Sequence, residues 1–102
     1  MARRPGYSHG MNYFAVLYTY ATDKAKLDDV RPEHRRYLSS LEENVGAGPL
    51  LGTEPGRALL LFRADSLDAV TQVLDADPFR TAGLIAHREV FAWNPATGSL
   101  AQ

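Results

Sequence analysis

The pattern of hydrophobic and polar positions along the chain predicts four strands. Residues 13–20 (YFAVLYTY) are aromatic and β-branched, which is typical of a strand. Residues 57–64 (RALLLFRA) and 86–93 (AHREVFAW) predict two more, and residues 49–53 predict a short, weak strand that a Glu-Pro-Gly turn follows. Two helical segments between these strands give the order β-α-β-β-α-β.

The first helix is predicted from a proline and from helical spacing. Pro32 suits the first helical position, so the helix is expected to begin at Arg31-Pro32, after a polar linker at residues 23–29. Gly46 and Gly48 are expected to end it. The apolar side chains of its buried face recur at helical spacing and are Tyr37, Leu38, Leu41 and Val45.

The second helix is predicted between two signals for helix ends. Asp65 or Ser66 caps its start, and it ends before Asp77-Pro78, because a residue that precedes proline avoids the α region. Residues 78–82 are expected to form one more helical turn, which the following glycine closes. The expected buried side chains of the second helix are Leu67, Val70, Val73 and Leu74.

The two central strands are apolar on both faces, although half-buried antiparallel strands normally alternate apolar and polar residues. On the first strand, one face carries Tyr13, Ala15 and Leu17, and the other carries Phe14, Val16 and Tyr18. Right-handed crossovers place both helices on one face of the sheet, so they leave the second face bare. That face would exceed the roughly 300–600 Å² apolar patch of a typical monomer.

We therefore expect an α+β fold, a ferredoxin-like βαββαβ antiparallel sheet with two helices on one face. A second copy of the chain would cover the other face and form a two-fold dimer, a dimeric α+β barrel. The alternative is that the terminal tails fold over that face.

The length of the chain predicts a single domain, because 102 residues provide one hydrophobic core. Residues 13–94 are expected to form it. Residues 1–12 predict a flexible lead-in, in which Met11 is an alternative start to Met1, and residues 95–102 predict a flexible tail.

Charge and composition exclude several classes of function. The chain has 11 basic and 12 acidic residues and a net charge of −1, which argues against a nucleic-acid partner. It has no cysteine, which excludes disulfides, a thiolate nucleophile, and zinc-thiolate or iron–sulfur sites. No apolar run approaches the roughly 20 residues that cross a membrane, and no secretory signal is visible, so we expect a cytoplasmic protein.

Topology places two titratable residues at one edge of the predicted sheet. His34, in the first turn of the first helix, and Asp77, directly after the second helix, are expected to meet there. The helix N-terminus would keep the His34 imidazole neutral and able to accept a proton, while a carboxylate would orient the ring. The alternatives are a half-buried histidine bonded to the backbone, and an aspartate that only caps the turn opened by Pro78.

Four further residues are candidate ligand contacts. Arg31, at the same edge, is placed to hold a substrate anion, or is simply solvated. Phe14 and Tyr18 are expected to roof an apolar cavity together with residues of the partner copy, and Phe79 is either core or a platform for the ligand. The sequence contains no glycine-rich phosphate loop, no G-x-S-x-G or H-E-x-x-H motif and no clustered metal ligands, so neither a metal nor a cofactor is expected.

Two motifs together resemble those of the YciI-like (YCII-related) family. They are Arg31-Pro32-Glu33-His34, and Asp77-Pro78-Phe79 followed by Ala82-Gly83-Leu84. The resemblance covers residues 13–93 and implies a dimeric α+β barrel with a histidine–aspartate active-site pair, here His34 and Asp77. The chain departs from the family at Gly52-Thr53, where members often carry Gly-Pro, so the loop that borders the cavity is expected to be shorter than in other members.

The function that the resemblance implies is acid–base chemistry. One related activity is a dehydrochlorinase that acts on a chlorinated hydroxyhydroquinone, and muconolactone isomerase shares the wider fold. We expect a cofactor-independent lyase or isomerase in which His34, oriented by Asp77, moves a proton on a small cyclic or aromatic metabolite. Two alternatives stay open: a non-catalytic small-ligand-binding or regulatory dimer, and a cofactor-free monooxygenase on the same fold.

Overall fold

A computed structural model describes residues 12–101, which form one antiparallel sheet with helices on one face. The elements are β1 (Asn12–Tyr20), α1 (Lys24–Ser39), β2 (Asn44–Leu50), β3 (Arg57–Ala64), α2 (Leu67–Asp75), α3 (Pro78–Thr81) and β4 (Ile85–Trp93). The strand order across the sheet is β2-β3-β1-β4. The fold is therefore the predicted ferredoxin-like α+β fold, with the short α3 as an additional helix.

The core lies between the helices and one face of the sheet. Antiparallel pairing sets Phe14 opposite Phe62, Val16 opposite Leu60 and Tyr18 opposite Ala58, and all six side chains are buried. The helices complete this core with Leu38 of α1 and with Val70 and Leu74 of α2. Alternate residues of β1 and β3, such as Ala15 and Leu61, face away from the helices, as the strand pattern predicts.

The predicted start of the first helix is wrong, because α1 begins at Lys24 rather than at Arg31. The Asp23 side chain caps the helix and accepts a hydrogen bond of 3.1 Å from the Lys26 backbone N–H. Leu27, in the supposed linker, is buried against Phe79 and Leu84. The Asp and Lys residues of this segment are typical of a linker, but one buried leucine among them extends the apolar stripe of the helix.

The predicted end of the first helix is also wrong. The helix ends at Ser39, and Val45, Gly46 and Gly48 belong to the strand β2. The Asn44 side chain donates a hydrogen bond of 3.0 Å to the Leu38 carbonyl oxygen, which satisfies one of the last acceptors of the helix. Gly46 pairs with Leu61 and Gly48 with Leu59 in the ladder between β2 and β3, so these two glycines do not mark a helix end.

The second half of the chain follows the sequence pattern closely. The Ser66 side chain caps α2, and Asp77 caps α3. Gly83 follows α3 with a φ of 73°, a left-handed conformation that favours glycine. One detail is wrong: Leu67, expected on the buried face of α2, is 52% exposed.

The residues that follow β4 add no further helix or strand to the described framework. The predicted lead-in, residues 1–12, lies outside the described residues except for Asn12, which begins β1. Residues 94–101 contain neither helix nor strand. Among residues 12–101, no helix is both long and apolar enough to cross a bilayer.

The early start of α1 can be tested by removing its cap. Asp23→Ala should lower the free energy of unfolding by about 1 kcal/mol, because the first turn of α1 loses a hydrogen-bond acceptor. Asp29→Ala, at an exposed position inside the helix, is the matched control and should change little. Urea denaturation measures both, and equal effects would contradict a helix that begins at Lys24.

Candidate active site

His34 and Asp77 form a buried pair between α1 and the start of α3. The His34 Nδ1 atom lies 2.7 Å from the Asp77 Oδ1 atom. Asp77 is fully buried and His34 is 7% exposed. The meeting of these two residues, predicted from strand directions, is therefore present in the structure.

The position of His34 within its helix differs from the prediction. Because α1 begins at Lys24, His34 lies in the second half of the helix and not in its first turn. The expected effect of a helix N-terminus on the imidazole therefore does not apply, since that field is confined to the first turn. His34 shares the buried face of α1 with Leu27 and Leu38, and this face brings it against α3.

Asp77 is held by three hydrogen bonds from three separate elements. The Oδ1 atom accepts from the Phe79 backbone N–H at 2.9 Å as well as from His34. The Oδ2 atom accepts from the Tyr18 hydroxyl of β1 at 2.9 Å. The aspartate therefore both caps α3 and contacts the histidine, and the same oxygen performs both roles.

This network fixes the tautomer of the imidazole. Both Asp77 oxygens accept hydrogen bonds, from the Phe79 N–H and from the Tyr18 hydroxyl, as an ionised carboxylate does, so Nδ1 of His34 is the donor in the 2.7 Å contact. In the neutral ring the lone pair is then on Nε2. No described residue hydrogen bonds to Nε2.

Tyr18 acts as a permanent donor to the carboxylate. Burial raises the pKa of its phenol far above the usual value, and the negative charge of Asp77 raises it further. The hydroxyl therefore stays protonated across the pH range in which proteins function. Tyr18 was expected to roof a ligand cavity, but the structure places it behind the histidine–aspartate pair.

Phe79 supports the imidazole from its flat side. The two rings stack with centroids 3.9 Å apart and planes 10° from parallel. Phe79 is 1% exposed, so the stacked ring is itself held by the core. Carboxylate and phenyl ring together leave the imidazole little freedom to rotate.

A cavity of about 410 Å³ opens beside His34, between α1 and the β2–β3 side of the sheet. Its lining residues are Tyr20, Arg31, His34, Arg35, Leu38, Ser39, Asn44, Ala47, Gly48, Pro49, Ala58, Leu60 and Phe79. Arg31 and Phe79 were expected at the ligand, and both line the cavity. Phe14 does not: it lies in the core between the sheet and the helices. The cavity is thus lined by residues of one chain and lies on the helix side of the sheet, opposite the face on which a partner copy is expected.

Four polar lining residues are not among the candidates predicted from sequence: Tyr20, Arg35, Ser39 and Asn44. Tyr20 continues the inward-facing alternation of Phe14 and Tyr18, which is the signal that could have found it. Burial raises the pKa of its phenol, and Asp77 raises it further while two nearby arginines oppose the shift. Its ring packs edge-on against Phe79 at 5.4 Å between centroids.

A second cavity of about 360 Å³ adjoins the first and shares Tyr20, Arg31 and Pro49 with it. Arg31 is paired with Asp28 of the same helix at this junction. The loop between β2 and β3 forms the far wall. Within residues 12–101, no group of three or more histidine, aspartate or glutamate side chains is arranged to hold a metal ion.

Comparison with solved structures finds the same fold in proteins of several organisms. The 5-chloro-2-hydroxyhydroquinone dehydrochlorinase TftG of Burkholderia phenoliruptrix AC1100, in complex with 2,5-dihydroxybenzoquinone, is 25% identical with a TM-score of 0.73, and the match covers 88% of this chain and 99% of that one. Protein Atu4242 of Agrobacterium tumefaciens is 20% identical with a TM-score of 0.59, covering 90% and 100% of the two chains.

A more distant likeness shows the fold alone. SnoaB, a cofactor-independent oxygenase of Streptomyces nogalater, is 14% identical with a TM-score of 0.53, and the match covers 86% of this chain and 95% of that one. A comparison with curated protein sequences gives no match.

The family comparison confirms the resemblance that the two sequence motifs carry. The model of the YCII-related domain matches residues 11–94, which include both motifs and every residue of the His34 network. The chain belongs to the YCII-related domain family.

Proposed function

We propose that this chain is a cofactor-independent acid–base enzyme that carries out elimination or isomerisation on a small cyclic or aromatic metabolite. The observation that carries the proposal is the pair of His34 and Asp77, joined at 2.7 Å and buried beside a ring-sized cavity. A titratable pair of this kind, next to a concave site, is what proton transfer requires.

His34 is the proposed base. Its Nε2 lone pair takes a proton from a carbon or hydroxyl group of the substrate, and the electrons of the broken bond form a new double bond in the ring system. In an elimination the leaving group departs with its bonding electron pair and the imidazolium returns its proton to solvent. In an isomerisation the imidazolium returns the proton to another atom of the substrate. Neither course needs an oxidant or a reductant.

Asp77 is the proposed orienting group. A carboxylate hydrogen bonded to Nδ1 holds the ring in one tautomer and stabilises the imidazolium that forms when Nε2 takes a proton. Tyr18 and the Phe79 N–H hold the carboxylate in turn, so it keeps its position while the charge on the histidine changes.

The comparison with the dehydrochlorinase supports an elimination. That enzyme is 25% identical to this chain, and the match covers 88% of this chain. The name of the enzyme describes loss of the elements of hydrogen chloride from an aromatic ring. A chlorinated hydroxyhydroquinone is therefore the first substrate to test. The cofactor-free oxygenase reaction rests on a likeness at 14% identity, which shows the fold alone.

We also propose that the chain forms a two-fold homodimer through the sheet face opposite the helices. This open face carries apolar side chains from β1, β3 and β4, namely Ala15, Leu17, Leu59, Leu61, Phe91 and Trp93. Phe91 is 49% exposed and Trp93 is 38% exposed. Arg57 and Glu89 form an ion pair of 3.6 Å at one end of the face, which suits the polar rim of an interface.

His34 can be tested as the base by a conservative change. His34→Gln keeps a side-chain donor for Asp77 but has no basic nitrogen, so turnover should fall a hundredfold or more. Chloride release from 5-chloro-2-hydroxyhydroquinone and ring isomerisation of an unsaturated lactone are the assays. His87→Gln, at an exposed position on β4, is the matched control.

Two results would decide against the enzyme. One is a folded His34→Gln protein that keeps the wild-type rate. The other is a wild-type protein that binds 2,5-dihydroxybenzoquinone and turns over neither substrate, which favours the non-catalytic ligand-binding function.

Tyr18 can be tested through stability and its pH dependence. Tyr18→Phe leaves a buried carboxylate oxygen without its donor, so the free energy of unfolding at neutral pH should fall by about 1–3 kcal/mol. Above the usual tyrosine pKa of 10.0, the unfolded chain loses this proton while the folded chain keeps it, so wild-type stability falls as pH rises. The difference in free energy of unfolding between the wild type and Tyr18→Phe should therefore become smaller above pH 10. Urea denaturation of both proteins at several pH values below and above 10 measures this difference. A difference that does not change with pH would contradict the raised pKa of Tyr18.

The homodimer can be tested by charging the centre of the open face. Leu61→Asp should convert a dimer into a folded monomer, because it places a carboxylate in an apolar interface. Leu67→Asp, on the exposed side of α2, should stay dimeric. Sedimentation velocity gives the mass of each, with circular dichroism as the check on folding. A monomeric wild type, or a Leu61→Asp dimer, would rule out this interface.

A further inference from the structure

The cavity beside His34 has a one-sided charge. Two arginines, Arg31 and Arg35, are among its lining residues, and no aspartate or glutamate is. Both arginines lie on α1 and flank the histidine, three positions before it and one position after it. A ligand that enters the cavity therefore meets two guanidinium groups beside the proposed base.

The nearby acidic groups neutralise Arg31 but not Arg35. Asp28 pairs with Arg31 from the preceding turn of α1. Arg35 forms no ion pair with any of residues 12–101. Asp77 is fully buried, and its oxygens already accept three hydrogen bonds. Arg35 is thus the lining cation whose charge no acidic group among residues 12–101 neutralises, and its donors are available to a ligand.

The rest of the lining suits the body of a flat ring. Leu38, Ala58, Leu60 and Phe79 supply apolar walls. Asn44 and Ser39 add polar groups on the α1–β2 side. An apolar slot with a cationic rim binds a molecule that combines a ring with a negative charge.

We infer that the cavity takes an organic anion, a planar ring bearing a carboxylate or an ionised enol or phenol oxygen, and that Arg35 binds the anionic oxygen. The inference rests on the proposed function, because it takes the cavity beside His34 as the substrate site. Arg35 is a binding residue that selects anionic over neutral rings, and Arg31, already held by Asp28, is the second cation.

The experiment compares two anions with their neutral counterparts. The probes are 2,5-dihydroxybenzoquinone against its dimethyl ether, and benzoate against benzamide, measured by titration calorimetry on the full chain. Wild type should bind the anions more tightly than the neutral molecules. Arg35→Gln should weaken anion binding roughly tenfold, as expected for loss of one charge-assisted hydrogen bond, and leave neutral binding unchanged.

Arg36→Gln is the matched control. Arg36 is the next residue on α1, is exposed, and does not line the cavity, yet its loss changes the net charge of the protein by the same amount. Its anion affinity should stay within about twofold of wild type, because an exposed charge outside the site is screened by salt.

The results separate this inference from the proposed function. Equal losses in Arg35→Gln and Arg36→Gln, equal wild-type affinity for anions and neutral rings, or no binding of either anion would overturn the anion site. Full turnover in His34→Gln together with weakened anion binding in Arg35→Gln would overturn the acid–base function and leave the anion site standing.

Discussion

The structure around the candidate site depends on one buried carboxylate whose hydrogen bonds are all made within the protein. Asp77 is fully buried, and a charge in that position is tolerated only when hydrogen bonds replace the water that it has lost. Its three donors come from β1, α1 and α3: the Tyr18 hydroxyl, the His34 ring and the Phe79 backbone. The hydrogen bonds that make this burial tolerable also join the sheet to α1 and α3 at this point.

This constraint links stability to the proposed chemistry. The histidine is held by the carboxylate at Nδ1 and by the stacked Phe79 ring on its flat side, which leaves Nε2 as the nitrogen without a described partner. A preorganised base of this kind does not have to be ordered when substrate binds. A substitution at Asp77 would therefore disturb the fold and the site together, whereas the exposed Arg35 can be changed with little effect on the core.

The two faces of the sheet have separate roles in this proposal. The cavity lies on the helix side of the sheet, and its described lining comes from one chain. The open face is proposed to pack against a second copy. The prediction of a cavity between the two copies, with Phe14 as part of its roof, merges these two faces into one. The error arose because Phe14 and Tyr18 were known to share a face, but apolar content alone does not say which face the helices cover.

The sequence predicted the strands well where their chemistry is strong and locally unambiguous. β1 and β3 are dense in aromatic and β-branched residues, and residues 57–64 were bounded correctly at both ends. α1 was misjudged because its first two turns carry only Leu27 and Val30 as apolar signals, and because Pro32 looks like a helix start although it lies inside the helix. The meeting of His34 and Asp77 survived this error, since it depends on the direction of the elements and not on the length of α1.

The cavity itself could not be predicted, because it results from side chains that are too small to fill a gap. In β2, Ala47 pairs with Leu60 and Pro49 pairs with Ala58, so these two short side chains are the ones that face α1. Bulky residues there would pack onto Leu38 and close the space, as equivalent residues do along β1 and β3. The glycines and the proline that made β2 look like a helix end and a loop are thus part of a strand that leaves room for a ligand. That room places Arg35 of α1 at the rim of the proposed site.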